Sequence, residues 1–219
     1  MNAIPLPTQF LYEFSIDQDL VDRSLEYFLN SELKSGKTNL KDDHSIDILM
    51  MNNPGDEFNT CVYQKELFAE IQKCIDQVAT KHFKNTQLAI CDSWITRGKF
   101  GQKCEPHHHS YSIFSGLLYM TDQERSETIF TLTDPFFSRL EYLFGPGMNE
   151  QPYKFTVKPK KGKLIIWDSS IKHKIGTVAE KNTRYTLAFN TWPTGLVSQI
   201  PSMKLKANLV DVAQLSQKD

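Results

Sequence analysis

Residues 103–120, KCEPHHHSYSIFSGLLYM, run three consecutive histidines directly into an apolar segment. Read as one extended strand over 107–121, the stretch alternates its side chains between two faces. His107 and His109 then share one wall and His108 takes the other. Two imidazoles two residues apart on a strand are spaced to share one cation. Tyr119 follows His109 by an even number of residues, so an unbroken strand puts it on the same face.

Working outward, segments rich in Ile, Thr, Phe, Tyr and Trp recur between turn signals. They predict strands near 87–97, 127–133, 153–158, 163–168 and 184–192, with a short one near 174–178. None alternates with a long helix, so the sheets are expected to be antiparallel and to close into a sandwich or barrel. The region before them reads differently. Residues 17–33 carry Leu20, Leu25, Phe28, Leu29 and Leu33 near a 3.6-residue period behind Asp17 as N-cap. Residues 37–60 are polar, contain Asn-Pro-Gly at 53–55, and read as loop. Residues 64–83 form an amphipathic helix with the stripe Leu67, Ile71, Cys74, Ile75 and Val78. The expected organisation is a single domain over 1–219. Residues 1–86 give mainly helical support, 87–195 an all-β core, and 196–219 a polar tail. In fold class this is α+β, an all-β core with flanking helices.

The 219 residues, 40% of them hydrophobic, suffice to bury one core. With 25 basic against 26 acidic residues the charge is balanced, so no electrostatic argument points to a nucleic-acid or membrane partner. The stretch 158-KPKKGK-163 reads as a solvated turn before a strand. No run approaches the ~18 apolar residues of a membrane span, and MNAIPLPTQF lacks the charged n-region and apolar run of a secretory leader. Cys61, Cys74, Cys91 and Cys104 show no CxxC spacing. A cytoplasmic chain with reduced thiols is therefore expected.

A cation held by His107 and His109 needs a ligand from elsewhere. His173, in 163-KLIIWDSSIKHKIG-176, follows an apolar strand and a short loop, where a barrel wall meets its mouth. His44 lies in a polar loop, and His82 near a helix end, where it interacts with the C-terminal dipole. Cys104 is a soft donor that would need a bend to come round. In 182-NTRYTLAFN-190, Arg184 and Thr186 lie two apart on one face of an apolar strand. An arginine inside a barrel is costly unless an anion neutralises it. Its planar fork suits a carboxylate, with the threonine hydroxyl adding a hydrogen bond. A protein carboxylate at the rim would satisfy it equally well.

These pieces together resemble the 2-oxoglutarate and Fe(II)-dependent oxygenases, and more narrowly their microbial and phage-associated, prolyl-hydroxylase-like branch. That branch shows a pattern like H-x-H-x-x-S-x-x-S-G-x-x-Y, then F-x-x-x-D-P, a late His, and R-x-S-x-x-x-N. Here stand His107, His109, Ser112, Ser115-Gly116 and Tyr119; then Phe130 with Asp134-Pro135; then His173; then Arg184, Thr186 and Asn190. The likeness runs from Trp94 to Trp192. It implies a double-stranded β-helix, a jelly-roll, cupin-like barrel. In it His107, His109 and His173 would hold Fe(II), and the co-substrate 2-oxoglutarate would chelate that metal. The far carboxylate would meet Arg184, supported by Thr186 and Tyr119. With O2, such an enzyme decarboxylates 2-oxoglutarate to succinate and hydroxylates a C–H bond of a protein side chain or small molecule.

The chain departs from the common pattern at His109, where most relatives have a carboxylate. Three neutral imidazoles leave the cation its full charge, which weakens iron retention, favours Cu or Zn by affinity order, and favours anionic co-ligands. Asp92, Asp134 or Asp168 could complete the site instead, and a bulge near Pro106 would bring His108 into it. Two other readings remain open at this stage. One is a three-histidine, cupin-like dioxygenase that does not use 2-oxoglutarate. The other is a non-catalytic jelly-roll module with a closed structural Zn, Cys104 or Glu105 being its fourth ligand. Substrate choice is expected in loops 36–60 and 134–152.

Overall fold

In chain order the elements are β1 (Leu11–Ser15), α1 (Gln18–Asn30), β2 (Leu33–Gly36), β3 (Asp47–Met51), α2 (Lys65–His82), β4 (Gln87–Gly98), β5 (Phe114–Tyr119), β6 (Thr128–Leu132), β7 (Tyr153–Val157), β8 (Lys163–Asp168), β9 (Lys172–Ile175) and β10 (Arg184–Leu196). This is a computed structural model; it describes residues 10–36, 45–51, 59–83, 86–132, 153–196 and 206–207. The strands form two antiparallel sheets. The larger has the order β1-β8-β5-β10-β4-β3-β2 and the smaller β7-β6-β9. Both sheets bury residues on the faces they turn toward each other. Leu117, Tyr119, Phe130, Val157, Ile165, Trp167 and Ile171 fill that space. This is the double-stranded β-helix, a jelly roll, with helices outside one sheet.

The helices form where the sequence placed them. Asp17 Oδ1 accepts the Leu20 N–H at 2.9 Å and so starts α1. The α2 stripe of Leu67, Ile71, Cys74, Ile75 and Val78 is buried throughout, packed with the outer face of the large sheet. Two residues leave the expected stripe: Leu29 is exposed at the end of α1, and Leu33 lies beyond the helix as the first residue of β2. His82 is the last residue of α2 and lies 2.8 Å from the Tyr12 hydroxyl, between aromatic rings.

The large sheet sorts its residues by parity. Register pairs Tyr119 with Thr186, Leu117 with Ala188, and Ser115 with Asn190, all on the barrel side. Leu187 and Phe189 face the helices. Gly116 sits on that outer side because a Cβ there would lie 2.0 Å from the Phe189 ring. Gly116→Ala is therefore expected to force the ring from its place at a cost of about 1–3 kcal/mol. Thermal unfolding checks this, a drop of several degrees in Tm being the expected result.

Three sequence readings are corrected. Residues 1–86 contribute three strands (β1, β2 and β3) besides two helices, and β3 lies inside the stretch read as loop. The strand expected over 107–121 is broken. His107 forms only an isolated bridge with His173, the chain turns at Ser110 and Tyr111, where Tyr111 has φ 61°, and β5 starts at Phe114. Short polar side chains cause the break: the Ser112 hydroxyl donates to the Phe114 carbonyl at 2.9 Å, giving the backbone an alternative to the ladder. Finally, the short strand expected near 174–178 is β9, so His173 lies within a strand rather than in the loop before it.

Candidate metal and co-substrate site

The broken strand still delivers both histidines. His107 and His173 exchange backbone hydrogen bonds of 2.9 and 2.8 Å, and the His109 N–H donates to the Ser169 carbonyl at 3.0 Å. These clasps pin the 107–109 segment against β9 and the turn before it. The ring centroids lie 4.4 Å (His107–His173), 5.1 Å (His109–His173) and 5.2 Å (His107–His109) apart. One ring nitrogen from each of the three lies within 4.8 Å of the others.

The other ring nitrogens are occupied. His107 Nδ1 is 2.8 Å from the Glu105 carbonyl, and His173 Nδ1 is 3.1 Å from the Ile171 carbonyl. His109 Nδ1 is bonded to Asn190 Oδ1. Each of these oxygens accepts, so each Nδ1 carries the proton and each Nε2 keeps its lone pair. This is the arrangement that neutral imidazoles need to ligate a cation. The donor set fits a first-row divalent metal.

The alternative ligands fall away on geometry. His108 is exposed, so the bulge that would have brought it inward is absent. Asp168 accepts from the Ser170 N–H at 2.8 Å and its hydroxyl at 2.7 Å, as a turn residue does. Asp92 is not in the cluster; it is the cross-strand register partner of Asn190. Asp134 and His44 lie outside the described residues, as do most of loops 36–60 and 134–152. Cys104 Sγ is 3.6 Å from His107 Nδ1, the ring edge already given to Glu105, and Glu105 pairs with Lys103 at 2.7 Å.

Burial, reinforced by the His107 neighbour, pushes the His173 pKa down to about 3. Burial also lowers that of His109, against a hydrogen bond to Asn190 that works to raise it. A histidine held neutral contributes stability that is complete above its unfolded value, near 6.5. In metal-free protein that contribution is lost as pH falls from about 6.5 toward 3, because the unfolded chain takes up a proton that the folded chain refuses. Thermal melts of metal-free protein from pH 7 to pH 4.5 should show Tm falling. His173 alone accounts for about 1.4 kcal/mol per pH unit, and His173→Gln should flatten the profile.

Farther into the barrel, Arg184 is 0% exposed and none of its three guanidinium nitrogens has a hydrogen-bond partner among the described residues. The Tyr119 ring lies 5.5 Å away. No carboxylate among the described residues pairs with it, so the rim ion pair weighed above is not formed. Burial lowers the Arg184 pKa and the Tyr119 phenol opposes that shift. Thr186 and Thr96 share a hydroxyl hydrogen bond, and the Tyr119 hydroxyl donates to Thr128 Oγ1 at 2.7 Å. Tyr119 reaches this face through its register with Thr186, not through an unbroken strand from His109. A cavity of about 410 Å³ runs from the three histidines, past Trp94, Leu117 and Trp167, to Thr96 and Thr128. Arg184, Thr186 and Tyr119 are not among its lining residues; Thr186 meets the lining through Thr96 and Tyr119 through Thr128.

Residues 92–190 match the family model described as "Putative 2OG-Fe(II) oxygenase". Over these residues the chain is similar to the 2OG-Fe(II) oxygenases. The matched span contains all three histidines, Arg184, Thr186 and Tyr119. No curated protein matches the sequence significantly. Solved structures share this chain's fold at low identity. A Pseudomonas putida prolyl-4-hydroxylase aligns with TM-score 0.58 and 13% identity over 82% of this chain and 91% of its own. HygX from Streptomyces hygroscopicus, solved with nickel, 2-oxoglutarate and hygromycin B, gives 0.56 and 11% over 85% and 83%. The epimerase SnoN from nogalamycin biosynthesis gives 0.58 and 13% over 83% and 77%. The family's enzymes take Fe(II), with 2-oxoglutarate and O2 as co-substrates. Among the described residues no helix is long and apolar enough to cross a membrane.

Sequence reasoning named Asn190 only within the family pattern and gave it no role; Ser169 and Trp94 were not assigned to the site at all. Parity offered the signal: Asn190 is an even six residues beyond Arg184, and therefore on the same face of β10.

Proposed function

We propose that this chain hydroxylates an unactivated C–H bond, coupling it to the conversion of 2-oxoglutarate and O2 into succinate and CO2. One observation carries the reading: a fully buried guanidinium has no acceptor among the described residues, in a barrel whose cavity opens onto three converging imidazoles. An unpaired buried charge costs several kcal/mol, which a diacid entering the cavity would offset. His107, His109 and His173 would hold Fe(II), which when bound supplies the dioxygen chemistry that amino-acid side chains lack. Arg184 would receive the far carboxylate as a bidentate fork, with Thr186 and Tyr119 presenting hydroxyls. The Thr96 and Thr128 layer must give way for that contact. Leu117, Trp167 and Trp94 keep water from the reacting end.

The competing readings are weaker on this geometry. A closed Zn site needs a fourth ligand; Cys104 and Glu105 line the same cavity but fall outside the cluster of converging donor atoms, Cys104 lying against His107 Nδ1 and Glu105 pairing with Lys103. An oxygenase that ignores 2-oxoglutarate leaves Arg184 unexplained. The substrate is a protein side chain or a small molecule.

Calorimetric titration of 2-oxoglutarate under argon tests the reading. Protein loaded with Mn(II), a redox-quiet stand-in for Fe(II), should bind it, and metal-free protein should bind far more weakly. With Fe(II) and air, succinate should accumulate. Metal-independent binding together with no succinate would overturn the assignment.

A further inference from the structure

His109 can ligate in only one tautomer, the one with its proton on Nδ1 and its lone pair on Nε2. Its Nδ1–H donates to Asn190 Oδ1. The same oxygen accepts from the Ser115 hydroxyl at 2.8 Å, and that hydroxyl is also 3.0 Å from His109 Nδ1. Ser115 is steadied in turn by Ser169 at 2.8 Å, and Ser169 by Ser112 at 2.8 Å.

An asparagine amide, however, has two nearly isosteric ends. Turned over, it would present its NH2 to His109 Nδ1. Nδ1 would then have to accept, and the proton would move to Nε2, the nitrogen that faces the other two histidines. An imidazole protonated there cannot ligate. Two hydroxyl rotors cannot forbid the turn, since a hydroxyl donates or accepts as required. A group that only accepts can forbid it.

Asp92 is such a group. It is the register partner of Asn190 across β4 and β10, at the bulge where the register shifts between Asn190 and Thr191. Burial raises the pKa of its carboxyl, and the neighbouring side chain and main chain of Asn190 work to lower it. Its Oδ1 is buried with no hydrogen-bond partner among the described residues, so it is an acceptor open to the amide beside it. No cation pairs with it among the described residues. We propose that Asp92 is a positioning residue that acts through Asn190. By accepting from the amide NH2 it holds Asn190 Oδ1 toward His109, and so keeps the His109 lone pair on Nε2. It also sets a carboxylate behind a site whose three ligands are neutral. The proposal rests on the metal-site reading above, but the tautomer it specifies exists in metal-free protein and can be read there.

The test uses the full chain with Asp92→Asn, the double variant Asp92→Asn/Asn190→Asp, and Asp22→Asn as a surface control. Long-range 1H–15N spectra of metal-free protein report the His109 tautomer, and anaerobic titration with Co(II) reports affinity and ligand-field absorption. Wild type should show His109 protonated on Nδ1. D92N should show a mixture, with Co(II) binding weakened roughly 10- to 100-fold and an altered absorption. In the double variant the carboxylate at 190 has no donor end to turn inward. It should restore the Nδ1–H tautomer and bring affinity to within about threefold of wild type. If D92N does not fold, Asp92→Ala, which also removes the acceptor, takes its place. An unchanged tautomer in D92N, or in Asp92→Ala where that takes its place, overturns the proposal, whatever the metal affinity. Wild type with the stated tautomer but no Co(II) binding at the histidines would instead sink the metal-site reading and leave the Asp92 assignment standing.

Discussion

Arg184→Ala is expected to abolish 2-oxoglutarate-dependent turnover. Truncating one partner of a buried, charge-assisted carboxylate pair costs about 2–5 kcal/mol, or roughly 30- to several-thousand-fold in kcat/KM for 2-oxoglutarate. The guanidinium is the reason: it is fully buried and has no hydrogen-bond partner among the described residues. Arg184→Lys should recover little, because a point charge cannot reproduce the two-pronged contact. Metal affinity should not change in either variant, since Arg184 does not touch the histidines' bonded atoms. A second consequence separates this arginine from an ordinary structural one. Breaking a buried ion pair orphans a charge, but Arg184 has no protein partner to orphan. Arg184→Met, which keeps most of the volume, should therefore leave the substrate-free protein at least as stable as wild type. Turnover of 2-oxoglutarate that survives Arg184→Ala would mean that the diacid binds elsewhere. Oxygenation that survives without 2-oxoglutarate would favour the three-histidine dioxygenase.

His173→Ala should remove the metal. The residue brings the third imidazole from β9, in the smaller sheet, while His107 and His109 come from the segment before β5. Its loss leaves two ligands on one short segment. The expected weakening exceeds the 10- to 100-fold typical of losing an outer partner alone, and turnover should become undetectable. Co(II) titration with elemental analysis of the purified protein measures both. The backbone bridge between residues 107 and 173 does not use the ring, so the fold should persist. His108→Ala is the matched control: its side chain is exposed and outside the cluster, and affinity should stay within about twofold. Equal losses in the two variants would mean that the cluster does not hold the cation as described.

Several parts of this molecule could be read without coordinates because they depend on neighbours in the chain. The α2 stripe is a 3.6-residue repeat, and Asp17 is a cap that bonds three residues on. Arg184 and Thr186 share a face because a strand alternates. The oxygenase reading came from the resemblance carried by His107, His109, His173 and Arg184 together with the residues around them. Other parts were misread for equally physical reasons. β1, LYEFS, does alternate, but five residues beside a helix carry too little signal. The strand over 107–121 failed because Ser112 spends its hydrogen bond on the backbone, which no hydropathy pattern reports.

Taken alone, the amino-acid sequence determined the helices, most strands, the inward parity of β10 and the chemistry of the candidate ligands, all of which arise within a few residues of chain. Tertiary structure decided that three imidazoles meet nitrogen to nitrogen, that Arg184 has no carboxylate beside it, and that Asp92 stands behind Asn190. These depend on register and sheet closure between segments up to about a hundred residues apart. A one-residue slip in either would turn every one of those side chains to the opposite face.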